Sequence, residues 1–243
     1  MDILWLNLTG MRKTKLTGLE NWTINWQDCC RLLLLSVLLL VVSVQTAADS
    51  SVQFSDDDLL RLQRGEVLLE QVHESKPGGA VRASALFYTN AETLWDIIGY
   101  CKYAFVYVRG LKLCEVIEPG LTHTVRHHRL RNSWYSPTLD FTFEASRRDL
   151  DYGEFHLVDG DFKIMEGQWE FVSLPDSGGI IGIHELRIQP KIPAPKSLLR
   201  YNLKKNLPAM LACMRGLARA SGDNRRIAKD LNRCPGEIPA ELK

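Results

Sequence analysis

Three histidines and three arginines crowd one short stretch of the chain: His123, Arg126, His127, His128, Arg129 and Arg131. Histidine titrates near neutral pH and arginine is a permanent cation, so such a stretch suits proton transfer or an anion. Residues 123–130 read as a strand, with His123 and His127 on the same face. Four residues of extended chain separate that pair by about 13 Å, too far for both to ligate one metal ion. The interleaved arginines fit an anion or a lipid headgroup better. The plainer alternative is an exposed, solvated basic strand. His156 and His184 could each face an interior and act as general base, but neither has a recognisable carboxylate partner, so each reads first as a structural histidine.

Other chemistry leaves little trace. The sequence contains no GxSxG elbow, GxxxxGK[ST] loop, HExxH or CxxC, so no catalytic residue, metal site or cofactor is assigned. Gly178, Gly179 and Gly182 echo a nucleotide loop weakly, and they join two strands, which reads as a hairpin. Cys101, Cys114, Cys213 and Cys234 lack zinc-ligand spacing. Four cysteines allow three disulfide connectivities, of which Cys101 with Cys114 and Cys213 with Cys234 are nearest in sequence. Unpaired buried thiols are the other reading.

The elements that would position these residues follow from periodicity. Glu66–Glu74 reads as a strand, and Val81, Ala83, Ala85 and Phe87 share one face of a second. Thr89 or Asn90 caps a helix carrying Leu94, Trp95, Ile97 and Ile98, and a shorter helical turn follows through Tyr103, Phe105 and Val106. A run of strands then covers 111–117, 123–130, 139–145, 153–158, 162–174 and 180–188. The prolines at 190, 193 and 195 end it, because a proline has no N–H to donate. Ser197 opens a long helix to about Ala220, whose Leu199, Leu203, Leu207, Met210, Met214 and Leu217 recur every three or four residues. Pro208 is expected to kink it.

The amino-terminal region has another character. Arg31 precedes an uncharged run, 32–44, and small residues at Thr46 and Ala48 lead into a polar start. That order describes a secretory signal over 1–48, longer than usual as a start assigned too early would make it, and hence an exported protein, periplasmic or secreted. The alternative is a retained membrane anchor at 32–44, although a span needs about 20 apolar residues. A polar linker is expected at 49–65, a single domain at 66–220 and a polar tail at 221–243.

Loss of residues 1–48 would remove four basic and three acidic residues from 30 and 29, leaving 26 of each. A neutral chain is no default nucleic-acid binder. Charge is uneven, however: residues 191–243 hold 12 basic and 4 acidic residues. Lys196, Arg200, Lys204 and Lys205 could form a basic face for an anionic membrane surface, or simply a solvated one.

The segment Leu157-Val158-Asp159-Gly160-Asp161-Phe162-Lys163-Ile164-Met165-Glu166-Gly167-Gln168-Trp169-Glu170-Phe171 resembles a stretch of the polyketide cyclase and coenzyme Q-binding branch of START-like (SRPBCC) proteins. Tyr100–Phe105 is similar to that branch's Y-x-x-F. The resemblance spans about 66–220 and implies an α+β helix-grip fold of START or Bet v 1 type, a curved antiparallel sheet wrapped around a long C-terminal helix. It implies a cavity for a hydrophobic, lipid-like small molecule, held without catalysis. Cyclase or hydrolase action in the same cavity, or a membrane-surface adaptor, are the other readings. Members of the branch that handle quinones work inside cells, which fits an exported chain poorly. Trp95, Phe141, Phe143, Met165, Trp169, Phe171, Leu203, Met210 and Met214 are the expected ligand-binding side chains.

Overall fold

The computed structural model describes residues 53–72, 77–131, 134, 137–174, 178–218 and 224–238. The expected signal or anchor at 1–48 lies outside them. The elements run α1 (Asp56–Gln63), β1 (Leu68–Glu70), β2 (Gly79–Phe87), α2 (Ala91–Gly99) and α3 (Cys101–Tyr107). Six strands follow: β3 (Leu111–Glu118), β4 (His123–Leu130), β5 (Leu139–Arg147), β6 (Tyr152–Gly160), β7 (Phe162–Leu174) and β8 (Gly179–Pro190). The long helix α4 (Lys196–Ala218) and a short α5 (Asn224–Leu231) close the described chain. These eight strands form one antiparallel sheet ordered β1-β2-β8-β7-β6-β5-β4-β3.

Local chemistry sets the boundaries. The Asn90 side chain accepts a hydrogen bond from the Thr93 N–H at 2.8 Å and caps α2. Ser55 and Asp58 form a reciprocal capping box at the start of α1. The turn into β8 is the expected hairpin, with Gly178 at positive φ, where a side chain is disfavoured. Helix α4 runs continuously through Pro208.

Both flanks of the expected domain take part in it. Within 49–65, expected as linker, α1 packs on β2 and buries Leu62 to 1% exposure. Within 221–243, expected as tail, α5 lies on α4, and Asp230 meets Arg215 in a bidentate pair at 2.6 and 2.8 Å. The Arg215 guanidinium also donates to the Gly65 carbonyl, so this buried pair joins both flanks to the long helix.

Two disulfides, Cys101–Cys114 and Cys213–Cys234, fasten α3 to β3 and α4 to the segment after α5. They are the two pairings nearest in sequence. Long loops lose more freedom when closed, and here each bridge fixes a helix that covers the sheet.

Helix α4 makes its closest approaches to β1, β2, α2, α3 and α5. Its Leu203, Leu207, Leu211 and Met214 meet Val81, Ala83, Ala85 and Phe87 in the main core. A separate small cluster of Phe141, Phe162 and Met165 lies under the far strands. The long helix thus packs on the β1–β2 side of the sheet rather than on its β4–β6 side.

Candidate ligand-binding site

Antiparallel partners share a face, so the register of each pair states which side chains line the concave surface. From Val81, Ala83, Ala85 and Phe87 on β2 the surface passes to Ile180, Gly182, His184, Leu186 and Ile188 on β8. It continues through Met165, Gly167, Trp169 and Phe171 on β7, then Gly153 and Phe155 on β6. Phe141, Phe143, Ala145 and Arg147 on β5 and Thr124, Arg126, His128 and Leu130 on β4 complete it.

Aromatic rings form an unbroken arc across that face. Trp95 of α2 meets Phe171 at 5.0 Å between centroids, and Phe171 meets Trp169 at 6.3 Å. Trp169 stacks on His184 at 4.1 Å, which in turn faces Phe155 at 5.8 Å. Phe155 meets Phe143, Phe143 meets His128 edge-on at 4.9 Å, and His128 and Phe143 both adjoin Phe141. Two glycines admit the rings: a Cβ on Gly153 would sit 2.6 Å from the Trp95 ring, and one on Gly167 would sit 2.5 Å from that of Phe155. The Trp95 indole donates to the Leu150 carbonyl at 2.8 Å, which fixes its tilt.

Burial varies along the arc. Trp169, Phe171, Leu203 and Met214 are buried in the main core, and Phe141 and Met165 in the smaller cluster. Trp95, Phe143 and Met210 keep accessible surface although they point inward, as do Phe155, Leu157 and Leu130. All nine expected residues therefore lie on or against one continuous surface. Of the nine, Trp95 and Met210 pack against the main core and Phe143 against the smaller cluster, each with surface left accessible.

Polar groups reach the same surface. The guanidinium of Arg126 donates to the Ile98 carbonyl at 2.8 Å and to the Thr124 hydroxyl at 3.1 Å, and its Nε has no partner among the described residues. His128 is 8% exposed, and its Nε2 likewise lacks a described partner. Burial first, and then the nearby Arg126 charge, push its imidazole down to about 4, so it is neutral. The His184 Nδ1–H donates to the Gln168 carbonyl at 3.1 Å, and burial pushes its imidazole down to about 4 as well. Tyr107 donates to the Ile98 carbonyl at 3.3 Å, and burial pushes its hydroxyl up to about 12.

The basic stretch thus divides by parity. Arg126 and His128 face inward, whereas His123, His127 and Arg129 face outward and meet carboxylates. His127 bonds Asp140 and lies 3.6 Å from Glu115, Arg129 bonds Asp140 at 2.7 Å, and His123 lies 3.2 Å from Glu144. The Asp140 hydrogen bond is the main reason that the His127 imidazole is raised above its ordinary pKa. His156, considered for the interior, faces outward, with its side chain 56% exposed and 3.4 Å from Glu144. Its neighbours in the strand, Phe155 and Leu157, occupy the inward positions instead.

A depression of about 420 Å³ over β6–β8 is lined by Glu154, His156, Glu166, Gln168, Glu185 and Arg187 among others. These charged and polar residues face outward, Phe155 and Gly167 also border the depression, and Arg187 meets Glu166 at 3.1 Å while Glu185 meets Arg82 at 2.8 Å. A groove of mutually paired charges is a poor seat for an apolar guest. On α4, Lys196, Lys204 and Lys205 are exposed beside Leu198 and Tyr201, and Arg200 is half-buried.

The fold is that of the helix-grip, START-like class. Residues 87–215 match the family of polyketide cyclase / dehydrase and lipid transport proteins, and the chain belongs to that family. A STAR-related lipid transfer protein from Xanthomonas axonopodis superposes with a TM-score of 0.51 at 14% identity, covering 63% of this chain and 92% of that one. A START superfamily protein from Mycobacterium smegmatis gives 0.47 at 16% identity, over 56% of this chain and 94% of that one. A protein from Thermus thermophilus gives 0.46 at 20% identity, over 62% and 97%. No curated protein matches the sequence.

Proposed function

We propose that this chain binds and carries a hydrophobic, lipid-like small molecule on its concave face, without turning it over, and that it does so outside the cytoplasm. The aromatic arc carries this reading: Phe143, Phe155 and Leu157 keep accessible surface on the concave face, away from the strands on which the long helix packs most closely. Apolar area covered by a guest there contributes about 25 cal/mol per Å², offset by the cost of ordering it. Family membership and the lipid-transfer fold support the same class of guest. The interior histidines, 128 and 184, each lack a bonded carboxylate among the described residues, which favours holding over acid–base turnover. Export is supported by two disulfides, since such bridges persist in oxidising compartments.

Extraction of the full chain, produced in a host that exports it, into organic solvent followed by mass spectrometry tests the reading. One apolar species near a 1:1 ratio is expected, and Ala145→Trp, which fills the accessible part, should lose it. A chain that carries nothing and takes up no apolar probe would overturn the reading.

A further inference from the structure

The concave face holds one buried permanent cation that no acid among the described residues neutralises. Arg126 is 9% exposed, and its described partners are a carbonyl and a hydroxyl, both neutral. On the adjacent β3 the partners on its face are Cys114 and Val116, while Glu115 and Glu118 pair with outward His127 and Val125. The described residues that share its face on β2, β4, β5, β6, β7 and β8 include no aspartate or glutamate. Elsewhere in the molecule the pattern is the opposite: buried Arg215 has bidentate Asp230, and buried Arg187 has Glu166. A charge withdrawn from water without a counter-charge is costly, so a site that keeps one is suited to receive the opposite charge.

Geometry specifies that charge further. Nε has no partner among the described residues and Nη2 makes one bond among them, to Thr124, so the guanidinium keeps donor hydrogens for a two-pronged acceptor. The planar partner that fits such a fork is a carboxylate. His128, two residues along on the same face, offers a second free nitrogen on a ring edge-on to Phe143. Phe143 and Phe155 continue from there with accessible apolar surface. Val116, the cross-strand partner of Arg126, is 45% exposed.

We propose that the guest is an amphiphilic carboxylate whose apolar body lies along the Phe143–Phe155–Trp169 arc and whose carboxylate is received by Arg126 and His128. This rests on the carrier reading and names its ligand class.

Calorimetric titration of the full chain with dodecanoic acid, dodecanol and methyl dodecanoate reads the claim as a ratio of affinities. Naphthoic acid against naphthol repeats the comparison on a rigid body. A preference for the acid of about tenfold or more is expected on at least one scaffold, as a charge-assisted bidentate bond predicts. In Arg126→Met that preference should fall to near parity, Arg126→Lys should retain part of it, and His128→Phe should reduce it less than Arg126→Met does. Equal binding of acid and alcohol, or a preference that survives Arg126→Met, would overturn the carboxylate assignment and leave the carrier reading standing. Failure of every compound to bind the unsubstituted chain would sink both.

Discussion

The two faces of β4 carry the same residue types and treat them differently. On the convex face His123, His127 and Arg129 each meet a carboxylate, in water. On the concave face Arg126 and His128 lie among Phe141, Phe143 and Tyr107 with no described acid beside them. Outside, pairing is cheap and its loss matters little, because solvent takes over. Inside, burial keeps the histidine neutral, whereas the arginine, though burial lowers its pKa, is basic enough to remain an uncompensated cation. A third setting, Arg215 with Asp230, shows what the fold does with a buried arginine used for stability: it supplies a bidentate acid and a carbonyl.

The sharpest contrast is between the two buried arginines. Asp230→Ala strands a charge in a dry site and should cost about 3–5 kcal/mol, read from denaturant unfolding. Arg126→Met removes a charge that was never paired, and the ligand-free protein should be as stable or more stable, by up to about 2 kcal/mol. An equally destabilising pair of substitutions would mean that Arg126 has a structural partner, and the contrast would break.

The pH dependence separates the faces of the sheet. His128 and His184 titrate at about 4 in the fold, against 6.5 for an ordinary histidine. The unfolded chain therefore binds more protons across that window, and stability rises with pH. Their contribution is complete above 6.5 and is lost as the pH falls towards 4, by at most about 3 kcal/mol for each. His184→Phe should flatten that part of the profile in urea melts run from about pH 4 to about pH 7. His127 has the opposite sign, since its pKa is raised. Its stabilisation is present below 6.5 and disappears as the pH climbs through its folded value.

The smallest effect belongs to the convex face. Asp140→Asn should lower the His127 pKa, visible in ring proton shifts during an NMR titration, and change stability by less than about 1 kcal/mol. A larger loss would show that the outward network shapes the sheet.

Much of the architecture was written in local pattern. Alternation placed the six strands from Leu111 to Pro190, spacing of three and four gave the apolar stripe of α4, and Asn90 marked the start of α2. The motif at 157–171 put Met165, Gly167, Trp169 and Phe171 on one face, and they share it. These features depend on neighbours within a few residues, which a single sequence displays.

Non-local facts were decided elsewhere. Period two says that Arg126 and His128 share a face, but not which face is inside. That follows from their pairing with Phe143 and Phe141 across a connection whose length does not set register, and bulges shift parity at Leu111/Leu113, Val116/Glu118 and Thr142/Phe143. For the same reason His156 could be considered for the interior, although Phe155 and Leu157 beside it take the inward positions. The bond between Arg215 and Asp230 joins residues 15 apart, through the packing of α5 on α4. By itself, the sequence determined which residues alternate, cap and repeat, because those are short-range preferences of the backbone. The tertiary structure alone decided which of two chemically similar sets was withdrawn from water, because burial is a property of the whole sheet and helix, and burial gives Arg126 and His128 their distinct chemistry.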